Sequence, residues 1–262
     1  MTESVLLVEK SDRIATITLN RPERMNALSL EMRRLFRDAI DDIRLDSSIG
    51  VVILTGAGRA FCAGLDLKEM GDADFRAHEK PETDPATLLR SLQQPVIGAI
   101  NGPAVTGGLE ISLSCDILLA TPNTKFADTH ARVGLVAGWG LSQRLFRVIG
   151  LYRAKEMSLT GNFVSAQQAY EWGLVNHVVA QDELMPTAVS IAQDILSCVP
   201  ESMLAYKRMI DRGYDLSLGD AMVYEKGFNR VHSSPPPEIV AGRRSGVQSR
   251  GREQARQDEN GG

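Results

Sequence analysis

The apolar pattern opens with two strands, residues 5–9 and 14–19, joined by the polar turn Ser11-Asp12-Arg13. A breaker-rich loop, Asn20-Arg21-Pro22-Glu23-Arg24-Met25-Asn26, separates them from a helix that Ser29 is placed to cap. In that helix Met32, Leu35, Phe36, Ala39, Ile40 and Ile43 repeat at i, i+3, i+4, i+7, i+8 and i+11, which is one apolar face. The arginines and aspartates are expected on the other face. Short apolar runs at 51–54, 96–100, 117–120 and 175–179 read as buried strands, and residues 124–128 as a short extended piece. Asp66 is expected to cap a short helix holding Leu67 and Met70. The polar stretch 71–85 has no period and reads as a mobile surface loop over a cleft. Leu88, Leu89 and Leu92 give a short helix stopped by Pro95. Leu141, Leu145, Phe146 and Ile149 share a helical face, and Ser165 with Gln168 spells a capping box. From Leu184 the pattern is helical: one helix to Pro200, two more over 201–212 and 218–231, then a short one with Ile239 and Val240 inward. The expected organisation is therefore a strand-and-helix body over 1–180, a helical region over 181–247 and a disordered tail over 248–262.

Bulk composition adds only exclusions. The 262 residues suffice for a sizeable core. A net charge of -4 gives no reason to expect a nucleic-acid partner, and no apolar run reaches the length of a membrane span. Residues 1–4 lack a basic segment followed by an apolar one, so no signal peptide is expected. Three widely spaced cysteines indicate neither a disulfide framework nor a zinc site, so a reduced cytoplasm is expected. The arginines at 243, 244, 250 and 252 read as a solvated tail. Gly56-Ala57-Gly58 after a strand imitates a dinucleotide-binding turn, but Phe61 stands where the third glycine belongs.

The chemistry concentrates in Asn101-Gly102-Pro103-Ala104-Val105-Thr106-Gly107-Gly108-Leu109-Glu110. A strand that breaks at Asn-Gly-Pro and restarts through two glycines leaves backbone N–H groups free at a helix start, where they stabilise developing negative charge. Residues 111–116 read as the beginning of that helix. Glu110 follows Gly107 by about one turn, roughly 5 Å of rise. One turn of chain thus offers an oxyanion donor and a carboxylate acid or base.

Five stretches carry a family resemblance: Asn20-Arg21-Pro22 through Asn26-Ala27-Leu28, Phe61-Cys62-Ala63-Gly64-Leu65-Asp66-Leu67, Pro95 through Glu110, Cys115-Asp116, and Leu159-Thr160-Gly161 with residues 169–175. In this order and spacing the chain resembles the enoyl-CoA hydratase/isomerase (crotonase) superfamily. The resemblance implies an α/β fold, a crotonase-like spiral of strand-strand-helix turns with a helical C-terminal trimerisation region. It also implies acyl-CoA thioester substrates, a homotrimer or a hexamer built as a dimer of trimers, and no metal or redox cofactor, coenzyme A being part of the substrate.

By the same resemblance the N–H groups of Ala63 and Gly107 form the oxyanion hole and Glu110 is the first of two catalytic glutamates. The second glutamate position holds His130. A histidine relays a proton but lacks a carboxylate's two-oxygen grip on a water. Asp128, two residues earlier, either substitutes for the missing glutamate or orients His130. Arg24 and Ala27 are implied in coenzyme A contact. Gly64, Leu65, Asp66 and Leu67, with Ala63, are implied at the adenine and thioester end. Trp139 and Leu135 are implied in the acyl pocket, and Lys226 and Phe228 as contacts from the C-terminal helices. The implied activity is hydration of a 2-enoyl-CoA. The alternatives are isomerisation, retro-aldol cleavage or thioester hydrolysis on the same enolate, and, outside catalysis, an acyl-CoA binder. An RNA-binding role is disfavoured by the acidic balance. Cys62 has no histidine near it in sequence and is not expected to be a nucleophile.

Overall fold

The computed structural model describes residues 4–69, 84–232 and 235–260, so the expectations placed on 70–83 lie outside the described residues. Strands β1 (Leu6–Ser11) and β2 (Ile14–Leu19) form the antiparallel hairpin read from the sequence. Helix α1 (Leu30–Leu45) follows, with the Ser29 side chain accepting from the Met32 N–H. Strand β3 (Val51–Gly56) lies parallel to β2, and helix α2 (Pro85–Arg90) leads to β4 (Val96–Ile100), parallel to β3. The next turns of chain repeat one plan. A strand of this large sheet is followed by a two- or three-residue strand of a small second sheet, and then by a helix. Thus β4 is followed by β5 (Ala104–Val105) and α3 (Gly107–Ser112), and β6 (Ile117–Ala120) by β7 (Lys125–Ala127). Helices α4 (Leu141–Ile149) and α5 (Leu151–Thr160), strand β8 (Val164–Ser165), helix α6 (Ala166–Glu171) and strand β9 (His177–Val178) close the two sheets. Their orders are β1-β2-β3-β4-β6-β9 and β5-β7-β8.

Strand β3 is buried at every residue because helices cover both faces of a mostly parallel sheet. Alternation then sorts its side chains. Val52 and Leu54 join the core that includes Phe36, Ile40 and Ile43 of α1, whereas Val51 and Ile53 pack with Leu184, Ala188 and Ala192 of helix α7 (Leu184–Leu196). That second packing corrects the domain expectation: α7 completes the body rather than beginning a separate region. The chain divides into compact units between Lys207 and Arg208, within helix α8 (Pro200–Tyr214).

The second unit carries α9 (Leu218–Val231) and α10 (Pro237–Asn260). Residues 248–260, expected to be disordered, continue α10; their arginines, glutamates and glutamines are good helix formers even without an apolar face. Ile239 and Val240 are exposed, not inward, because α10 shows no apolar stripe. Two further corrections are local. Helix α3 starts at Gly107 and ends at Ser112, earlier than expected, and the described residues after Asp66 form a turn.

The loop after β2 is held by one side chain. Asn26 is fully buried at φ 55°. Its Oδ1 accepts from the Arg21 N–H, and its Nδ2 donates to the carbonyls of Ala57 and Ala60. Asn101, from the other side, donates to the carbonyls of Gly58 and Ala60 and accepts from the Gly56 N–H. Asn26→Ala takes the side-chain donor from the Ala57 carbonyl, leaves the Ala60 carbonyl with Asn101 alone, removes the acceptor of the Arg21 N–H, and places alanine in a left-handed conformation. We expect a loss of about 2–4 kcal/mol in urea unfolding, with Asn26→Gly recovering about 1 kcal/mol of it. Equal stability of the two variants would show that the backbone conformation contributes nothing.

Candidate active site

The parallel pairing of Cys62 with Ala104 brings two distant segments into contact, with the Val105 N–H donating to the Cys62 carbonyl at 2.9 Å. Gly64 makes the approach possible: at φ 90°, a Cβ there would lie 2.0 Å from Thr106 Oγ1 and 3.2 Å from the Gly107 nitrogen. Thr106 itself is at φ 50°, a conformation costly for a β-branched residue, and it turns the chain directly into α3.

This geometry reassigns one oxyanion donor. The Ala63 N–H is already given to the Met25 carbonyl at 3.1 Å, so it is not available to a substrate. Two residues on, Leu65 pairs with Leu28 through its neighbours: the Leu28 N–H donates to the Gly64 carbonyl and the Asp66 N–H to the Leu28 carbonyl. The Leu65 N–H is left facing away from that bridge without an acceptor among the described residues. The Gly107 N–H, at the first position of α3, likewise has none. Leu65, Gly107, Glu110 and His130 line one cavity of about 390 Å³. The donor missed from the sequence is therefore Leu65. The signal lay in the strand period, which turns the N–H groups of 63 and 65 to opposite partners only once the bridge to Leu28 is known.

Glu110 is 2 % exposed. Its Oε1 accepts from the Trp139 N–H at 2.7 Å and the Leu141 N–H at 3.4 Å, and its main-chain carbonyl accepts from Ser114 Oγ. Oε2 is left toward His130 Nε2, 3.7 Å away. His130 opens a short 3-10 turn directly after β7, and Asp128 fixes its ring: Nδ1 lies 2.7 Å from Asp128 Oδ1, which also accepts the His130 N–H. Asp128 thus orients His130, the second of the two roles expected for it, and does not stand in for the missing glutamate.

Burial raises the Glu110 carboxyl above 4.5, against the opposing pull of the Trp139 N–H and His130. Burial by itself lowers His130, but the Asp128 hydrogen bond and the Glu110 and Asp128 carboxylates outweigh it and hold the imidazole above 6.5. Burial by itself raises Asp128, but hydrogen bonds from His130 and Ser158 outweigh it and hold the carboxyl below 3.8. The arrangement is two proton carriers facing each other across a gap too long for a direct hydrogen bond, beside two backbone donors.

The other expected residues divide. Ala63, Leu67, Leu135 and Trp139 line the cavity; Leu67 is exposed and Trp139 half-buried. Gly64 lies beneath it as packing. Asp66 is drawn away to Arg21, its Oδ2 3.1 Å from Nη1, which ties the loop after β2 to the site. Arg24 is exposed in the 3-10 turn Pro22–Arg24, and Ala27, half-buried, gives its carbonyl to Arg21. Lys226 and Phe228 lie on α9 in the second unit, where Phe228 stacks with His232. Cys62 is buried with its thiol pushed up to about 12 by desolvation, which bars it as a nucleophile at neutral pH. Arg33 was missed. Placed on the polar side of α1 by the sequence pattern, it is only 6 % exposed and lines the same cavity. Its spacing to Phe36 and Ile40, i+3 and i+7, was the available signal.

With this geometry the relatives are informative. The family model described as enoyl-CoA hydratase/isomerase matches residues 9–234. The chain belongs to the enoyl-CoA hydratase/isomerase family. It is 42% identical over 255 residues to the probable enoyl-CoA hydratase 1, peroxisomal, of Arabidopsis thaliana, covering 94% of this chain and 96% of that protein. It is 38% identical over 224 residues to the short-chain-enoyl-CoA hydratase of Clostridium acetobutylicum, covering 84% and 86%. Among solved structures, the enoyl-CoA hydratase from Bacillus anthracis superposes with a TM-score of 0.85 at 34% identity, covering 94% of this chain and 96% of that one. A monofunctional enoyl CoA isomerase from M. smegmatis superposes with a TM-score of 0.73 at 37% identity, covering 84% and 99%. The family fold is thus established, while its members' names span two reactions. No helix among the described residues is long and apolar enough to cross a membrane.

The His130 titration tests the electrostatics. Its folded value lies above the unfolded 6.5, so protonation favours the folded state. That contribution is complete below pH 6.5 and is lost as pH rises through the folded value. Asp128→Asn removes the strongest raising influence on the imidazole, the carboxylate hydrogen bond, and leaves burial opposing the charge. The His130 ring resonance in NMR is expected to titrate above 6.5 in the wild type and at lower pH in Asp128→Asn. An unchanged midpoint in the variant would refute the assigned cause.

Proposed function

We propose that the chain hydrates 2-enoyl-CoA thioesters, with Glu110 and His130 as the proton-carrying pair and the N–H groups of Leu65 and Gly107 as the oxyanion hole. The observation that carries this reading is the approach of Glu110 Oε2 to His130 Nε2, 3.7 Å, on the cavity wall that also presents those two donors. Hydration needs one group to take a proton and another to give one; this site offers both. As the oxygen of water bonds to C3, one of its protons passes to Glu110 Oε2. The C2=C3 electrons move onto the thioester carbonyl, and the resulting enolate oxygen sits between the Leu65 and Gly107 N–H groups. The protonated imidazole gives its Nε2 proton to C2. The proton held by Glu110 then crosses to His130 Nε2, restoring both groups. Asp128 stabilises the imidazolium throughout.

Two support roles complete the proposal. Arg24, exposed beside the site-bearing loop, is assigned to the coenzyme A phosphates, with Ala27 at the same entrance. The chain is assigned to a homotrimer or a dimer of trimers, on the ground that Ile210, Leu218, Val223 and Val231 are apolar yet 68–82% exposed in the second unit.

The test is the loss of conjugated enoyl absorbance from crotonyl-CoA. Glu110→Gln is expected to lower kcat by about 10²–10⁴ with little change in acyl-CoA affinity. If the wild type leaves crotonyl-CoA intact but converts a 3-enoyl-CoA to the 2-enoyl isomer, the reaction is isomerisation and the hydration reading fails. If Glu110→Gln is as active as the wild type, the assigned base is wrong. Light scattering is expected to give three or six times the mass of one chain; a monomer would remove the assembly proposal.

A further inference from the structure

Thr106 holds a backbone conformation that suits a glycine. At φ 50° and ψ -113° the branched Cβ of a threonine crowds its own main chain. Such strain persists only where the surroundings over-determine the residue. The Thr106 N–H donates to the Ala127 carbonyl at 2.9 Å, and the Thr106 carbonyl accepts the Glu110 N–H at 3.0 Å. One residue therefore ends β5 against β7 and begins the helix that carries Glu110. A glycine would do all of this without strain. The side chain is what the strain retains.

That side chain sits at the junction on which the site depends. Thr106 lines the same cavity as Gly107 and Glu110. Its Oγ1 lies 2.8 Å from the Val105 carbonyl oxygen and 3.3 Å from the Ala63 carbonyl oxygen, so its single proton is shared between the two meeting segments of backbone. The hydroxyl fills the space that Gly64 leaves open, 2.0 Å from where a Cβ on that glycine would stand. The backbone bonds between the segments, from the Phe61 and Cys62 N–H groups to Pro103 and from Val105 to Cys62, all lie earlier in both. Among the described residues the hydroxyl bridge is thus the cross-link nearest in sequence to the Leu65 and Gly107 N–H groups. Two donors stabilise one oxyanion only when both stand roughly 2.7–3.1 Å from it, so a tie that fixes their separation acts on the reaction.

We propose that Thr106 is a positioning residue: its hydroxyl, bridging the Val105 and Ala63 carbonyls, sets the separation of the Gly107 and Leu65 N–H groups that receive the thioester oxygen. This rests on those two N–H groups being the oxyanion hole of an acyl-CoA site. Thr106 acts through them and moves no proton.

The experiment reads the carbonyl directly. Butyryl-CoA, which cannot be hydrated, is isotope-labelled at its thioester carbonyl carbon and bound to the full-length chain, and the infrared band of that carbonyl is followed. Crotonyl-CoA gives kcat and KM in parallel. Binding to the wild type is expected to lower the band frequency. Thr106→Val keeps the branch and removes the hydroxyl; it is expected to lose at least half of that lowering, and about tenfold in kcat with KM little changed. Thr106→Ser, which keeps the hydroxyl, is expected to retain most of both. Should Thr106→Val fail to fold, Thr106→Gly, which takes this backbone conformation freely, is judged by the same criteria. An undiminished band shift without the hydroxyl overturns the proposal. So does a Thr106→Ser variant as impaired as Thr106→Val, which is the signature of methyl packing, and so does a band that fails to move in the wild type. If crotonyl-CoA is not hydrated but the band shift still depends on the hydroxyl, the hydration reading falls and the positioning role stands.

Discussion

Everything at the site depends on the contact of two pieces of backbone, residues 62–65 and 104–107. Neither carries a reactive side chain until Glu110. What they supply is closeness, enforced by hydrogen bonds from Cys62 to Pro103 and from Val105 to Cys62 and permitted by the missing Cβ of Gly64. Only at that separation do the Leu65 and Gly107 N–H groups lie along one cavity wall. The stabilising side chains sit behind: Asn26, in the loop after β2, and Asn101, directly after β4, both donate to the Ala60 carbonyl and hold the loop that delivers Cys62. A preorganised pair of donors costs nothing to assemble when charge develops, which is why such rigidity is placed here and not in the proton carriers.

The proton carriers are arranged by a different rule, that of division of labour between oxygens and nitrogens. Glu110 uses Oε1 for anchorage to the Trp139 and Leu141 N–H groups and keeps Oε2 toward the cavity. His130 uses Nδ1 for anchorage to Asp128 and keeps Nε2 toward Glu110. Each group thus has one fixed atom and one working atom. Burial raises Glu110, and Asp128 raises His130, so both drift toward the range where proton exchange at neutral pH is easy. A second carboxylate in place of His130 would have faced Glu110 with like charge; a histidine held by an aspartate faces it with opposite charge.

Much of the fold was legible because its periods are clean. The α1 stripe, the Ser29 cap, the capping box at Ser165 and the buried strand β3 all follow from local spacing. The parts that were misread share a cause. The membership of α7 in the body, the burial of Arg33 and the exposure of Ile239 and Val240 depend on which other element covers a face, and no window of sequence contains that information. The helical course of 248–260 reflects propensity without burial, a weak local signal set against a polar composition.

Sequence alone determined the family, the break at Gly107 that opens a helix on a free N–H, and the pairing of a glutamate with a histidine twenty residues apart. These are properties of residue type and order. Tertiary structure decided the remaining questions. Leu65, not Ala63, offers the second donor, because the bridge to Leu28 and the bond to Met25 consume the alternatives. Asp128 orients His130, because its oxygen reaches Nδ1. Arg33 lines the cavity although the α1 pattern puts it on the polar face, and its guanidinium lies over the Trp139 ring. Each of these outcomes is a property of a pair of residues and not of a window of sequence, because the partner's position is set by the fold.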